Sequence, residues 1–454
     1  MGATDTLVKF INKTQLSDIS QEAIDITKKH IIDWFATALA GSNEEAGTIL
    51  HDYANEISGS SHANIIGTET KGSVDNAAFI NGSLGHLLDY DDMGFSHPTT
   101  CILPGLLALA DKNKISGEKV LLSLILGYEV FEKLSFSARP YEGSLRKRGY
   151  HPTSLYGTMA SAAACAKLLD LNIEQTKRSL GIAGSMASGL SQNFGTWVKG
   201  MHGGNSSRAG VVSATLASKG YYADEEIIEG DHGFFHAIHI EGNYDLEKVT
   251  ENLGNPWAIV SPGLSVKQYP CCGGNHRALD AALSIIKENN LSYEQIETLT
   301  AQCHPDLINL LRFMKPTKGF NGKFSLDYNM AAAIVYGEVK IHTFSDEIAS
   351  DPRMIEAMES KIIIEQHPEW THEQTSQGTP IIIKTNDGKE FTKSVAIQNW
   401  HPTKPISNNE VEEKFRYCAE NSKLPEQNVE KIIEMIWNLE ECNDTNALTT
   451  LCAF

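Results

Sequence analysis

Small side chains on every face of one predicted helix constrain the fold more than any other feature of this sequence. Residues 157–166 read GTMASAAACA, and at about 3.6 residues per turn the glycine, alanine, serine and cysteine residues cover the whole circumference. Neighbouring helices can therefore approach this helix from all sides. The segment 181–189 has a similar composition. We expect both segments to lie at the centre of a helical bundle.

The first 220 residues are predicted to be almost entirely helical. In 20–41 a serine suited to capping opens the segment, Ile24, Ile31 and Phe35 fall on one stripe, and Gly41 ends it. Further helices are predicted at 76–90, 102–112, 118–134, 153–169, 173–190 and 206–218. This part of the chain is therefore expected to form a helical domain.

Strand-like segments begin after residue 263. They lie at 296–303, 361–366, 380–385 and 390–396, and Asn386-Asp387-Gly388 indicates a hairpin between the last two. Helices are predicted there at 278–288 and 328–336, and afterwards at 411–419 and 428–439. The predicted fold class is mainly α. A large all-helical domain is built from residues 1–263 and 397–454, and a smaller α+β lid domain, 264–396, is inserted between them.

Charge and cysteine usage restrict the partners of the protein. The chain has 38 Lys and Arg against 57 Asp and Glu, a net charge of −19, which argues against nucleic acid as the main partner. Its eight cysteines show no C-x-x-C spacing and are expected to be reduced thiols. Neither a leader nor an apolar segment long enough to span a bilayer is apparent. We therefore expect a cytoplasmic protein with no membrane segment, in which any anionic ligand needs a local basic pocket.

The first candidate site is the motif His86-x-x-Asp89-Tyr90-Asp91-Asp92. On one helix His86, Asp89 and Tyr90 would share a face, and the apolar residues before them suggest that this face is buried. A buried His–Asp pair would fix the orientation of the imidazole. The alternative is an acidic helix end that holds the carboxylates of Asp91 and Asp92 in water.

Two histidines precede prolines, in His97-Pro98-Thr99 and His151-Pro152-Thr153. A residue before proline avoids the helical region, whereas proline suits the first helical turn, so each histidine should stand at a helix N-terminus. That position disfavours imidazolium, and a neutral ring beside backbone N–H groups suits proton transfer next to a carboxylate. A single His-Pro would indicate only a turn, but two before helices favour a site.

Cationic side chains lie in two further segments. Lys199 and His202 fall in a glycine-rich stretch predicted as a loop, followed by Arg208, and together they can hold a dianion; the alternative is an exposed loop lysine. Lys267, near the start of the inserted domain, can reach into a cleft. Cys271 and Cys272 are interpreted as packing residues. Tyr328 is predicted near the start of a helix, where it is either a site residue or plain core.

Taken together, these residues resemble the MmgE/PrpD family over nearly the whole chain. The likeness rests on Asn81-Gly82-Ser83 before His86-x-x-Asp89-Tyr90-Asp91-Asp92, on His97-Pro98, on Arg148-Gly149-Tyr150-His151-Pro152-Thr153, on Lys199-x-x-His202-x-Gly204, and on Tyr269-Pro270-Cys271-Cys272-Gly273-Gly274-x-His276. The resemblance implies a helical domain with an α+β lid, a homodimer, and no metal or organic cofactor. Its implied catalytic residues are Asp89, His97, His151, Lys199, Lys267 and Tyr328. Its implied substrate-binding residues are Lys199, Lys267, His202, Asp92 and His276.

The resemblance implies a lyase that removes water or carbon dioxide from a small di- or tricarboxylate such as 2-methylcitrate or cis-aconitate. Lys199 and Lys267 would neutralise carboxylates, His97 and His151 would transfer protons, and Asp89 would orient them. Met93 stands where this family commonly has threonine after Asp-Asp, which would suit a smaller substrate. The alternatives are an epimerase of a dicarboxylate such as iminodisuccinate and a family member that binds carboxylates without turnover.

Overall fold

A computed structural model describes residues 2–57, 59–138, 145–240, 242–370 and 378–454. The helices of the N-terminal part are α1 Ala3–Lys13, α2 Gln21–Ser42, α3 Glu45–Glu56, α4 Val74–Leu87, α5 Pro98–Asn113, α6 Gly117–Phe136, α7 Pro152–Leu168, α8 Ile173–Gly184, α9 Val198–Ser218 and α10 Phe234–Ile238. Those that follow are α11 His276–Glu288, α12 Pro305–Leu310, α13 Gly319–Gly322, α14 Leu326–Tyr336, α15 Asp346–Ala349 and α16 Pro352–Glu356. The last are α17 Asn408–Glu420, α18 Glu426–Trp437 and α19 Asn446–Leu451.

The described residues form two compact units. The first takes in residues up to Asn193, Trp197–Val266 and Ser407–Phe454, and the second takes in Phe194–Thr196 and Lys267–Ile406. The first unit is built mainly from helices, so the prediction of a mainly α fold is confirmed. Within the described residues, no helix combines the length and the apolar character that a bilayer crossing demands.

The small-residue helix lies at the centre of the first unit, as predicted. α7 packs against α5, α6, α8 and α9, and every residue in 153–166 is buried. A Cβ atom added at Gly157 would lie 2.6 Å from the Cys101 sulfur, so only glycine permits this approach of α5. Packing on all sides of α7 follows directly from its composition.

The matching prediction for 181–189 is wrong. α8 ends at Gly184, and Ser185 and Ser188 are exposed. The next residues pair with another segment, because the His151 N–H donates to the Gly189 carbonyl at 3.0 Å. Gly189 has a φ of +146°, outside the helical range. Pairing beside His151 therefore replaces the last turns of the expected helix.

Two other features of the first unit differ from the sequence prediction. The short strands β1 Ala63–Asn64 and β2 Lys71–Gly72 pair antiparallel within the part predicted to be helical. α9 begins at Val198, eight residues before the predicted start at 206. Glycines allow this helix to lie against α4, since a Cβ at Gly204 would lie 2.0 Å from the Phe79 carbonyl oxygen. Close packing between the two helices therefore outweighs the loop preference of glycine.

The second unit packs helices on a four-stranded sheet. Its strands are β3 Ile296–Cys303, β4 Ile362–Gln366, β5 Ile381–Thr385 and β6 Glu390–Lys393, in the order β4-β3-β5-β6. β3 and β4 are parallel, whereas β5 is antiparallel to β3 and β6. The predicted hairpin is confirmed, with Gly388 at a φ of +83°. Cys271 and Cys272 lie in the apolar core of this unit, which confirms their interpretation as packing residues.

Candidate active site

Four helix ends of the first unit bring the candidate residues together. His86 lies in the last turn of α4, and the connection from α4 to α5 carries Asp89, Asp91 and Asp92. His97 is the residue before α5, and His151 is the residue before α7, as the two His-Pro motifs predicted. Lys199 and His202 lie in the first turns of α9. The residues thus come from four separate elements whose packing fixes their distances.

Lys199 is buried and lies between two of these groups. Its Nζ atom is 2.8 Å from His86 Nε2 and 3.1 Å from Asp89 Oδ1, and the residue is 5% exposed. An ammonium group can only donate, so His86 Nε2 accepts and the proton of a neutral ring lies on Nδ1. His86 Nδ1 in turn donates to the Asp91 carboxylate at 2.9 Å. Asp89, Lys199, His86 and Asp91 therefore form one chain of contacts, and the alternative of an exposed loop lysine is wrong.

The partner of His86 differs from the predicted one. α4 ends at Leu87, and Asp89 has a φ of +50°, so Asp89 does not continue the helix face of His86. The left-handed backbone at Asp89 turns the chain and leaves Asp91 opposite His86. Both Asp91 and Asp92 are buried, so the alternative that places these carboxylates in water is also wrong.

Burial keeps His86 neutral. Loss of solvent lowers the pKa of His86, and although the Asp91 charge opposes this, the nearby Lys199 ammonium adds to it. The ring of His97 lies with its centroid 4.5 Å from that of His86. His97 Nδ1 donates to the Asp92 carbonyl at 2.6 Å and lies 3.6 Å from Asp91 Oδ2. In a neutral His97 ring, Nε2 is therefore the proton acceptor.

His151 and His202 form a second histidine pair. Their Nδ1 atoms are 2.8 Å apart, so one ring donates and the other accepts. Burial lowers the pKa of His151 far below its usual value, and the charge of Lys199 adds to this. Burial likewise lowers the pKa of His202 to about 4. The pKa of His151 is thus shifted in the direction that favours a neutral ring at the start of α7, with burial as the largest cause.

Asp92 lies behind the first turn of α5. Its Oδ2 atom accepts hydrogen bonds from the hydroxyl and the backbone N–H of Thr99, and the Thr99 hydroxyl is 2.6 Å from the Tyr128 hydroxyl. Burial, followed by the charge of Asp91, raises the pKa of Asp92 well above its usual value. These contacts support the start of α5. A role of Asp92 in substrate binding stays a prediction.

One group of side chains has the composition of a metal site. Donor atoms of His86, Asp89, Asp91 and His97 all lie within 4.8 Å of one another. However, the Lys199 ammonium is within hydrogen-bond distance of two of these four residues. A divalent cation placed among the donors would be repelled by that ammonium. Lys199 thus supplies part of the positive charge that a metal ion would supply.

The remaining predicted residues lie elsewhere in the chain. Lys267 and His276 are buried residues of the second unit, and the His276 ring lies 5.2 Å from that of Tyr269. Tyr328 is in the core of the same unit and its hydroxyl donates to the Thr343 carbonyl at 2.6 Å. A catalytic or binding role for these three residues stays a prediction. Arg208 was expected to hold a dianion together with Lys199 and His202, and this expectation is wrong. Its side chain is 42% exposed and pairs with Asp75.

Sequence reasoning missed two features of this site. The first is the pairing of His86 with Asp91, which depends on the left-handed backbone turn at Asp89 and so has no signal in the residue spacing. The second is the contact between the Ser96 and Thr153 hydroxyls, which joins the two His-Pro segments. No pattern in the sequence relates Ser96 to Thr153, since 57 residues separate them.

Comparison with known proteins identifies relatives along the whole chain. Sequence models of the MmgE/PrpD N-terminal and C-terminal domains match residues 5–247 and 269–441. Cis-aconitate decarboxylase of Homo sapiens is 27% identical over 462 residues, which cover 99% of this chain and 94% of the relative. Cis-aconitate decarboxylase of Aspergillus terreus is 26% identical and covers 99% and 96%. The 2-methylcitrate dehydratase of Salmonella typhimurium is 22% identical over 363 residues, 73% of this chain and 72% of the relative.

Proposed function

This chain belongs to the MmgE/PrpD family and is a lyase of that family's type, and we propose that it removes carbon dioxide from a small tricarboxylate of the cis-aconitate class. The buried contacts among Asp89, Lys199, His86 and Asp91, beside His97, carry this proposal. Dehydration of a 2-methylcitrate-like acid is the second candidate. The decarboxylases match nearly the whole chain, whereas the dehydratase matches about three quarters, which favours decarboxylation.

Lys199 supports this proposal through its charge. A substrate carboxylate that leaves water needs a cation close to it, and in a buried site the attraction is stronger than in solvent. Lys199 supplies that cation. The rings of His151 and His202 are neutral and therefore contribute no positive charge to carboxylate binding. Lys267 is proposed as a second carboxylate-binding cation, as the family resemblance implies. No step in this scheme requires a metal or an organic cofactor.

The two histidines at helix N-termini are proposed to divide the proton transfers. When the bond to the departing carboxylate breaks, carbon dioxide leaves and the electron pair that remains must be protonated at carbon. His97 is proposed as the acid, because its Nδ1 atom donates to the Asp92 carbonyl and lies 3.6 Å from Asp91, which leaves Nε2 to deliver a proton to the substrate. His151, held neutral by burial, is proposed as the hydrogen-bond acceptor for the substrate and as the base in an elimination.

The experiment is turnover of chelator-treated protein with cis-aconitate, citrate and 2-methylcitrate, with alkene absorbance and released carbon dioxide followed together. We expect carbon dioxide from cis-aconitate and a value of kcat/KM about 10³-fold lower in a Lys199→Met variant. Lys167→Met is the control, because the Lys167 ammonium is likewise hydrogen-bonded within the first unit, to the carbonyls of Asn12 and Thr14, away from the cluster.

Other outcomes of the same experiment decide between the alternatives. Alkene formation from 2-methylcitrate without carbon dioxide would establish the dehydratase. Exchange of deuterium into a dicarboxylate without net conversion would establish an epimerase. Thermal stabilisation by these acids with no reaction would leave a carboxylate-binding protein and would overturn the proposal. A homodimer stays a prediction that sedimentation can test.

A further inference from the structure

Lys414 of the C-terminal helix α17 contacts the connection that carries Asp89, Asp91 and Asp92. Its Nζ atom is 2.8 Å from the Tyr90 carbonyl oxygen and 2.5 Å from Asp33 Oδ1 of α2. The same atom lies 3.8 Å from the centroid of the Tyr90 ring. The side chains of Lys414 and Asp33 are each 1% exposed. A charged group of α17 is therefore buried against one particular residue of the connection.

Tyr90 stands between Asp89, the partner of Lys199, and Asp91, the partner of His86. Its carbonyl oxygen belongs to the peptide group that leads into Asp91, so a hydrogen bond to that oxygen fixes the plane from which the Asp91 side chain projects. Rotation of this plane would move the Asp91 carboxylate away from His86. The contact from Lys414 thus bears on the direction of the Asp91 carboxylate.

Burial of the Lys414–Asp33 pair by itself contributes little net stability. Removal of two charges from water costs about as much as their attraction returns, so a buried pair is weak evidence for stability and better evidence for a defined geometry. The hydrogen bond from Lys414 to the Tyr90 carbonyl supplies that geometry. An apolar side chain in place of Lys414 would fill the space between α2 and α17 but could not donate to the carbonyl.

We propose that Lys414 is a positioning residue of the active site, which acts through the Tyr90 peptide and sets the distance between Asp91 and His86. This inference rests on the proposed function for its kinetic part. It also extends the site to the C-terminal segment Ser407–Phe454, which belongs to the first unit and follows the second unit in the sequence.

The test uses a double variant, Lys414→Met with Asp33→Asn, because a single change would leave a buried carboxylate without its cation. We expect kcat to fall about 10- to 100-fold, as for a site displaced by about 1 Å, while KM changes less than about threefold. Lys28→Met with Glu440→Gln is the matched control. Lys28 also joins α2 to the C-terminal segment, through the Trp437 carbonyl and Glu440, each at 2.6 Å, and its loss should leave kcat unchanged.

A second readout needs no substrate. The proton on His86 Nδ1 is hydrogen-bonded to Asp91, so its resonance in isotope-labelled protein should lie downfield, and it is assigned by its loss in His86→Gln. We expect this resonance to move in the Lys414/Asp33 variant and to stay in the Lys28/Glu440 variant. Native kcat or a native resonance in the first variant would overturn the inference. If the wild type turns over none of the acids, the resonance alone decides, so failure of the proposed function remains distinct.

Discussion

Replacement of Lys199 by methionine separates its role in binding from its role in folding. In the folded protein the change leaves Asp89 buried without its ammonium partner, and loss of one member of a buried ion pair costs about 3 to 5 kcal/mol of stability. Lys199→Met with Asp89→Asn removes both charges. We expect this double variant to recover most of the lost free energy of unfolding, as measured by urea denaturation.

Activity should not recover in the double variant. A carboxylate about 4 Å from an ammonium gains about 4 kcal/mol at an effective dielectric constant of about 20. At about 1.4 kcal/mol per factor of ten, loss of Lys199 lowers kcat/KM about 10³-fold. The assay is carbon dioxide release at limiting substrate. A double variant with kcat/KM within tenfold of the wild type, or a single variant as stable as the wild type, would refute this reasoning.

Four further predictions test individual groups. His97→Gln and His151→Gln should each lower kcat about 10²- to 10⁴-fold, with unchanged circular dichroism, and near-native rates would make the residues structural. Because the pKa of His202 is lowered to about 4, kcat/KM should hold from neutral pH down to about pH 5 and fall as His202 becomes protonated; a fall centred near pH 6.5 would contradict the buried pair. Burial raises the pKa of Asp111 from 3.8 to about 6. The stability that the protonated carboxyl contributes is therefore present below about pH 4, and up to about 3 kcal/mol of it is lost as the pH rises through 6. Asp111→Asn should abolish this pH dependence of the free energy of unfolding in denaturation curves. Lys267→Ala should raise KM for a tricarboxylate more than it lowers kcat, and an unchanged KM would remove Lys267 from the binding set.

Local signals in the sequence predicted the elements whose structure depends on neighbouring residues. Ser20 caps α2, and its side chain accepts from the Ala23 N–H as the capping pattern indicated. The two His-Pro pairs predicted the starts of α5 and α7 because proline restricts the residue before it and not the turn after it. The composition of 157–166 predicted its burial, because small side chains within the segment itself allow neighbouring helices to approach on all sides.

Long-range packing decides what the sequence could not predict. The glycines after Lys199 favour a loop when considered alone, but they allow α9 to lie against α4, and this contact makes the segment helical from Val198. Asp91 rather than Asp89 faces His86 because the backbone turns at Asp89, which no spacing rule anticipates. The contact from Lys414 to Tyr90 spans 324 residues and leaves no periodic trace.

The packing of α17 on α2 has a consequence for synthesis of the chain. α2 is buried along almost its whole length, and α17 is one of the helices that cover it. The residues between Ser42 and Asn408 must be translated before α17 exists, which takes roughly 20 to 70 s at about 5 to 20 residues per second. During that time an apolar helix near the N-terminus lacks one of its native neighbours. Nascent chains of this protein are therefore expected to depend on chaperones that shield α2, and the dependence should end when α17 leaves the ribosome.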